Sequence, residues 1–224
     1  MASGAGGALE GIGNSVFLGV TAGFVVVMAA TLILTYARQS NNWVSKAAGA
    51  AAKFPGVVPG AVLAAAFIFA FAAAPFNLGG TLLIMGMAYF VSFLPYAVIS
   101  LEGTSAQIDG SLEDASRLCG AGAGRTFGQI VLPLLRPGIF ATFALVFVRI
   151  IGDLEVAVLL GTGQTPMVSA LLFQVWGEGL FTQVAAVAVM MTAVSAVVVI
   201  LMMWLSRPAW VRKMHARNRK ALKR

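Results

Sequence analysis

The stretch RIIGDLE holds three residues able to act on a solute: Arg149, Asp153 and Glu155. They sit in or beside an otherwise apolar run. A charge there is costly in lipid, so it belongs inside a helix bundle or against a wet cavity. Arg149 and Asp153 are four residues apart, so on a helix they share a face and can pair. Glu155 points elsewhere. Two roles fit: a lining or contact of a solute pathway, or an internal ion pair that locks one helix to a neighbour. Catalysis is poorly supplied. No Ser–His–Asp arrangement and no metal-ligand motif occurs. The single histidine, His215, lies in a basic tail and reads as solvated. The single cysteine, Cys119, allows no internal disulfide and reads as a small packing residue. No Gly-x-x-x-x-Gly-Lys-Ser/Thr run appears, so the chain lacks a phosphate-cradling loop. No enzyme activity, cofactor or metal is expected of it.

The elements that must hold these charges are membrane helices. Hydrophobic residues make up 59% of the chain and charged residues 10%, with mean hydropathy +0.91. That is too apolar for a soluble surface. A span needs about 20 apolar residues. Charge-free runs predict helices over about 12–36, 55–73, 81–100, 138–160 and 184–205. The third and second of these form a hairpin, because APFNLGG (74–80) breaks the long run with Pro, Asn and Gly. Pro55 and Pro59 fall in the first turns of the second helix, where a missing N–H is tolerated. MVSALLFQVW (167–176) predicts a further short helix, lying in the membrane interface or dipping in; the alternative is an extension of a spanning helix. Gly19, Gly23 and Ala30 allow close helix packing. The fold class is thus all-α, a single five-helix membrane domain over 1–224. No positive n-region precedes the first run, so no secretory signal peptide is read there.

Basic residues give the orientation. The net charge of +7 could suggest nucleic acid, but the positives sit at the ends of apolar runs and in the tail, so no nucleic-acid partner is expected. With the tail inside, the inner segments 37–54, 101–137 and 206–224 hold Arg38, Lys46, Lys53, Arg117, Arg125, Arg136 and every basic residue from Arg207 on. The outer segments hold no Lys or Arg. The N-terminus is then outside and the C-terminus cytoplasmic. An N-out start is unusual, and suggests that the chain is the second half of a longer protein or a piece cut from one. The tail suits anionic inner-leaflet lipid. Glu178 lies at the outer mouth and reads as a surface charge.

Segment 101–137 is richer than a connecting loop needs to be. Asp109 or Ser111 can cap a helix, and Glu113 and Asp114 favour its positive end. Leu112, Ala115 and Leu118 recur at helical spacing and can dock in a partner groove. Gly120, Gly122 and Gly124 close the helix and turn the chain. RTFGQIVLPLLRP returns as a second amphipathic piece, kinked at Pro133 and Pro137. The unit is a helix, a Gly turn and a helix.

This segment resembles the cytoplasmic loop of permease subunits of binding-protein-dependent ABC importers of type I. The family pattern is Glu-Ala-Ala, three residues, Gly, nine residues, Ile, one residue, Leu-Pro. Here it reads Asp114-Ala115-Ser116, Gly120, Ile130 and Leu132-Pro133, with the same spacing. Asp114 stands for Glu and shortens the reach of the carboxylate. Ser116 stands for Ala and is still small. The resemblance covers nearly the whole chain. It implies a coupling helix that docks on a separate ATP-binding cassette subunit, a substrate-binding protein (periplasmic or lipoprotein) at the outer mouth, and a second permease domain as homodimer or fused half. It also implies alternating access in the bacterial inner membrane. FLPYAVISLEGTSAQIDGSLEDAS and RIIGDLEVAVLL look most like the branch serving ferric iron, with relatives for thiamine, polyamines and phosphonates. A secondary transporter fragment or a membrane-embedded enzyme are the other classes. The first would need an ion-coupling site, the second paired catalytic groups.

Overall fold

A computed structural model describes residues 2–39, 43–108, 111–120 and 122–206. All regular structure among them is helical. The apolar run after Gly11 extends into α1 (Ala2–Gln39). Next come α2 (Trp43–Lys53), a tight turn over Phe54–Val57, and α3 (Gly60–Phe67), which widens into a π-turn over Ile68–Ala72. The hairpin turn at 74–80 carries left-handed residues at Asn77 and Gly80. Thr81 then caps α4 (Leu82–Ser105), its hydroxyl accepting from Ile84 N–H at 3.4 Å. The polar segment follows as α5 (Ser111–Leu118) and α6 (Ala123–Thr126). A π-turn over Phe127–Val131 leads into α7 (Leu132–Gly152), then α8 (Glu155–Leu160), α9 (Val168–Gly177) and α10 (Phe181–Ser206).

Four helical stretches are long and apolar enough to cross a membrane: 9–37, 82–105, 124–152 and 181–206. A fifth arises if α2 with its following turn and α3 with its π-turn, bent by 99° at Val58–Pro59, count as one broken span. The expected third and fifth helices lie within a few residues of α4 and α10. Two expectations are corrected. The helix expected at 138–160 begins earlier, continuing from α6 through the π-turn, and it breaks at Asp153–Leu154. Residues 43–53, expected as part of an inner connection, form α2; Ala and Lys are strong helix formers even where hydropathy is low.

The core sits where α1, α4 and α7 meet. Tyr89, Phe147, Ile84, Met85 and Leu101 are fully buried there. Close approach depends on small residues. A Cβ on Gly19 would lie 2.9 Å from the Phe147 ring, and Phe143 lies against Gly23. Ala30 is completely buried. Thr104 of α4 occupies the space above Gly138, leaving no room for a Cβ. One turn further, Ser100 and Thr142 share a hydrogen bond of 2.8 Å. These contacts fix an antiparallel register that brings the end of α7 beside the middle of α4.

Candidate functional site

The chain offers two candidate sites, one at each level of α4. The first is the α5–α6 unit beyond its C-terminal end. α5 ends on Cys119, whose N–H donates to Ala115 O, and on Gly120 at φ +80, a conformation glycine adopts without steric cost. Ser116 and Thr126 hydroxyls meet at 2.9 Å and tie α5 to α6. Leu112 is 45% exposed and Leu118 89% exposed, with Ala115 between them on the same face. Val131 is buried and Ile130 and Leu132 are half-buried at the root of α7, so these residues anchor the unit to the bundle. Pro133 sits in the first turn of α7 and Pro137 inside it, within the apolar helical stretch 124–152. Asp109 lies outside the described residues, as do the side chains of Glu113, Asp114 and Arg117.

Beside this unit, Lys53 of α2 and Glu102 of α4 form an ion pair at 2.6 Å. Both are partly exposed, so the pair contributes little to stability, about 0–1 kcal/mol. Sequence reading saw Lys53 only as a topology charge. A pairing between residues 49 apart has no local signal.

The second site is a cavity of about 190 Å³ beside the middle of α4. Ser92 and Tyr96, the eleventh and fifteenth of 24 residues in α4, form one wall. Two helix breaks form the others: Pro55–Gly60, and the α7–α8 junction with Arg149, Asp153 and Glu155. Non-helical backbone at membrane depth is tolerated only where protein buries it or a wet cavity receives it. Here it is well satisfied. Pro59 O accepts from Val62 and Leu63 N–H at 3.0 and 3.1 Å. Asp153 O accepts from the Ser169 hydroxyl at 2.6 Å.

Arg149 and Asp153, which their spacing would let pair, form no ion pair. α7 stops at Gly152, so the i,i+4 geometry is lost one residue too soon. Asp153 instead turns its Oδ2 to Val156 N–H at 2.9 Å and caps α8. Arg149 lies over the Tyr96 ring, 5.2 Å from its centroid, a cation–π contact. Glu155, expected to point away, lines the same cavity: its carboxylate rests against Gly60, the first residue of α3, where a Cβ would overlap it. Sequence reading missed Ser92, Tyr96 and Pro55 as wall residues. Pro55 was the available signal, a proline inside an apolar run.

Among the described residues no three His, Cys, Asp or Glu gather as a metal site. The short helix expected at 167–176 is present as α9. Its first residues Val168 and Ser169 are buried, and Trp176 is exposed at the far end.

Comparison with known proteins matches residues 15–210 to the family described as binding-protein-dependent transport system inner membrane component. The Fe(3+)-transport system permease protein FbpB 2 of Haemophilus influenzae is 26% identical over 145 residues, 65% of this chain and 29% of that protein. The chain thus matches less than a third of the length of that relative. The putative ferric transport system permease-like protein AfuB of Escherichia coli is 30% identical over 118 residues, 53% of this chain and 98% of that protein. The putative 2-aminoethylphosphonate transport system permease protein PhnV of Salmonella typhimurium is 24% identical over 183 residues, 82% of this chain and 66% of that protein. Among solved structures, a chain of the inward-facing MetNI methionine ABC transporter superposes with TM-score 0.74 at 16% identity, covering 89% of this chain and 94% of that one. A bacterial alginate ABC transporter, in complex with its alginate pentasaccharide-bound periplasmic protein, gives 0.72 at 16% identity, covering 89% and 78%. With the match spanning most of its length, the chain belongs to the family of binding-protein-dependent transport system inner membrane components.

Proposed function

We propose that this chain is the membrane-spanning permease subunit of an importer, and that the α5–α6 unit couples it to a separate ATP-binding cassette subunit. The observation that carries the proposal is α5 itself: a short helix, closed by a left-handed Gly120, whose apolar face of Leu112, Ala115 and Leu118 is open to solvent. An amphipathic helix presented in this way suits a groove on a protein partner. Glu113, Asp114, Ala115, Ser116, Leu118 and Gly120 form the contact, and Ile130, Leu132 and Pro133 root it in α7. This end of the bundle faces the cytoplasm, with the N-terminus outside, as the basic residues at this end require. A binding protein delivers solute at the other end, and a second permease domain completes the pathway that the cavity at Arg149, Asp153 and Glu155 lines.

Ferric iron is the first substrate reading, because two relatives carry ferric transport names at 26% and 30% identity. A phosphonate is the second, favoured by the longer alignment to PhnV. Uptake of labelled ferric iron and of labelled aminoethylphosphonate by cells expressing the complete system tests both. The expected uptake collapses on ATP depletion and survives an uncoupler. Uptake with the opposite dependence contradicts ATP coupling and favours a secondary transporter.

A further inference from the structure

The cavity at the middle of α4 holds charges of both signs, and their partners differ. The Asp153 carboxylate is engaged by Val156 N–H at the start of α8. Glu155 rests at the start of α3. Both carboxylates thus sit at helix N-termini, which stabilise negative charge. The donors are not so served. Among the described residues, the Arg149 guanidinium has a cation–π contact with Tyr96 but no hydrogen bond or ion pair, and the residue is exposed, open to a ligand. The Ser92 hydroxyl faces the same cavity, buried and without a hydrogen-bond partner. An unpaired buried donor is expensive, and a guanidinium at membrane depth more so. The cavity holds two carboxylates as well, but neither meets Arg149 or Ser92, so these donors are left for an acceptor from outside the chain.

We infer that this cavity is an oxyanion subsite on the solute pathway, where Arg149 and Ser92 donate hydrogen bonds to a phosphonate, phosphate or carboxylate group. The inference rests on the permease reading above and specifies its solute. Guanidinium matches such groups in a planar, two-pronged fashion that an ammonium does not. Tyr96 backs the guanidinium from one side. The helix breaks at Pro59 and Asp153 make the opening in the bundle that lets a solute reach it. A phosphonate carries the required group itself. A ferric ion carries it only as an anionic chelate, and Asp153, whose Oδ2 is taken by Val156 N–H, is a poor site for the bare ion.

The test uses the full chain assembled with its ATPase subunit in nanodiscs, titrated with methylphosphonate and followed by phosphorus NMR line broadening. Citrate and ferric citrate are then added as competitors. Expected is saturable broadening, weakened about tenfold or more by Arg149→Gln. Arg149→Lys restores part of the loss, and Ser92→Ala weakens binding several-fold on its own. Displacement by ferric citrate well below the concentration needed for citrate assigns the oxyanion to an iron chelate; no such preference assigns it to the phosphonate. Retained ATPase co-elution shows that the variants are folded. Equal binding by wild type, Arg149→Gln and Ser92→Ala overturns the inference. So does the absence of saturable binding to any probe, which would leave Arg149 to a carboxylate of the second permease domain. Binding of free ferric iron that is lost in Asp153→Asn and kept in Arg149→Gln overturns it as well. If no ATPase assembles with the wild type, the coupling reading fails separately, and the same titration on the chain alone still decides the subsite.

Discussion

The residue before the first turn of α9 is Met167, whose side chain cannot cap, and the N–H of Val168 is met by the Ser15 hydroxyl of α1 at 3.0 Å. Ser15 is almost fully buried and also leans on the Met167 sulfur, while Asn14 donates to Pro166 O at 3.1 Å. Two neighbouring residues of α1 therefore hold the start of α9. Loss of a cap typically costs about 1 kcal/mol. Ser15→Ala is expected to lower the unfolding temperature in detergent by about 2–4 °C, as thermal melts would show. No sequence pattern announces this bond, since the partners are 153 residues apart. The residues proposed for coupling were legible for the opposite reason. Asp114, Gly120 and Pro133 lie close in sequence, and their spacing alone describes a helix, a turn and a return. Arg149 and Asp153 show the limit: spacing of four implies a shared face only while the helix lasts, and Gly152-Asp153 ends it.

At the scale of elements, long charge-free runs marked α1, α4 and α10, because a span leaves a continuous apolar signal. The breaks left a weaker one. The α7–α8 junction has no proline, and the π-turn before α7 has no hydropathy signature. α2 was hidden by Lys46 and Lys53, which read as an inner connection. The contact between α4 and α7 is set by Gly138 beneath Thr104. Gly138→Val must push two helices apart, and overpacking of this kind costs about 1–3 kcal/mol. A lowered melting temperature is expected, with partial recovery in Gly138→Val combined with Thr104→Ser, which removes the crowding methyl group. α5 behaves differently because Leu118 is open to solvent. Leu118→Asp should leave the melt unchanged and weaken ATPase binding at least about tenfold, since it places an unpaired charge in an apolar groove. Pull-down titration measures the second effect and scanning calorimetry the first.

The whole molecule is an all-helical membrane protein whose two candidate sites are joined by α4 and α7. Solute binding at the middle of α4 and ATPase contact beyond its end would act on the same two helices, with the Lys53–Glu102 pair tying α2 to that end. This layout requires one orientation. Cys119 is the only cysteine of the chain and is exposed. In intact cells an impermeant maleimide should therefore leave it unlabelled, and label it after permeabilisation. Labelling in intact cells would place the α5–α6 unit outside and reverse the topology. The most direct test of the central claim is co-purification. The tagged chain is expressed with its neighbouring genes, solubilised, and its partners identified for wild type and for Gly120→Leu, which strains the left-handed turn that closes α5. An ATP-binding cassette subunit that elutes with wild type and is lost from a folded Gly120→Leu variant is the predicted result. A folded wild-type chain that brings down no ATPase, or a variant that holds it equally well, would contradict the account.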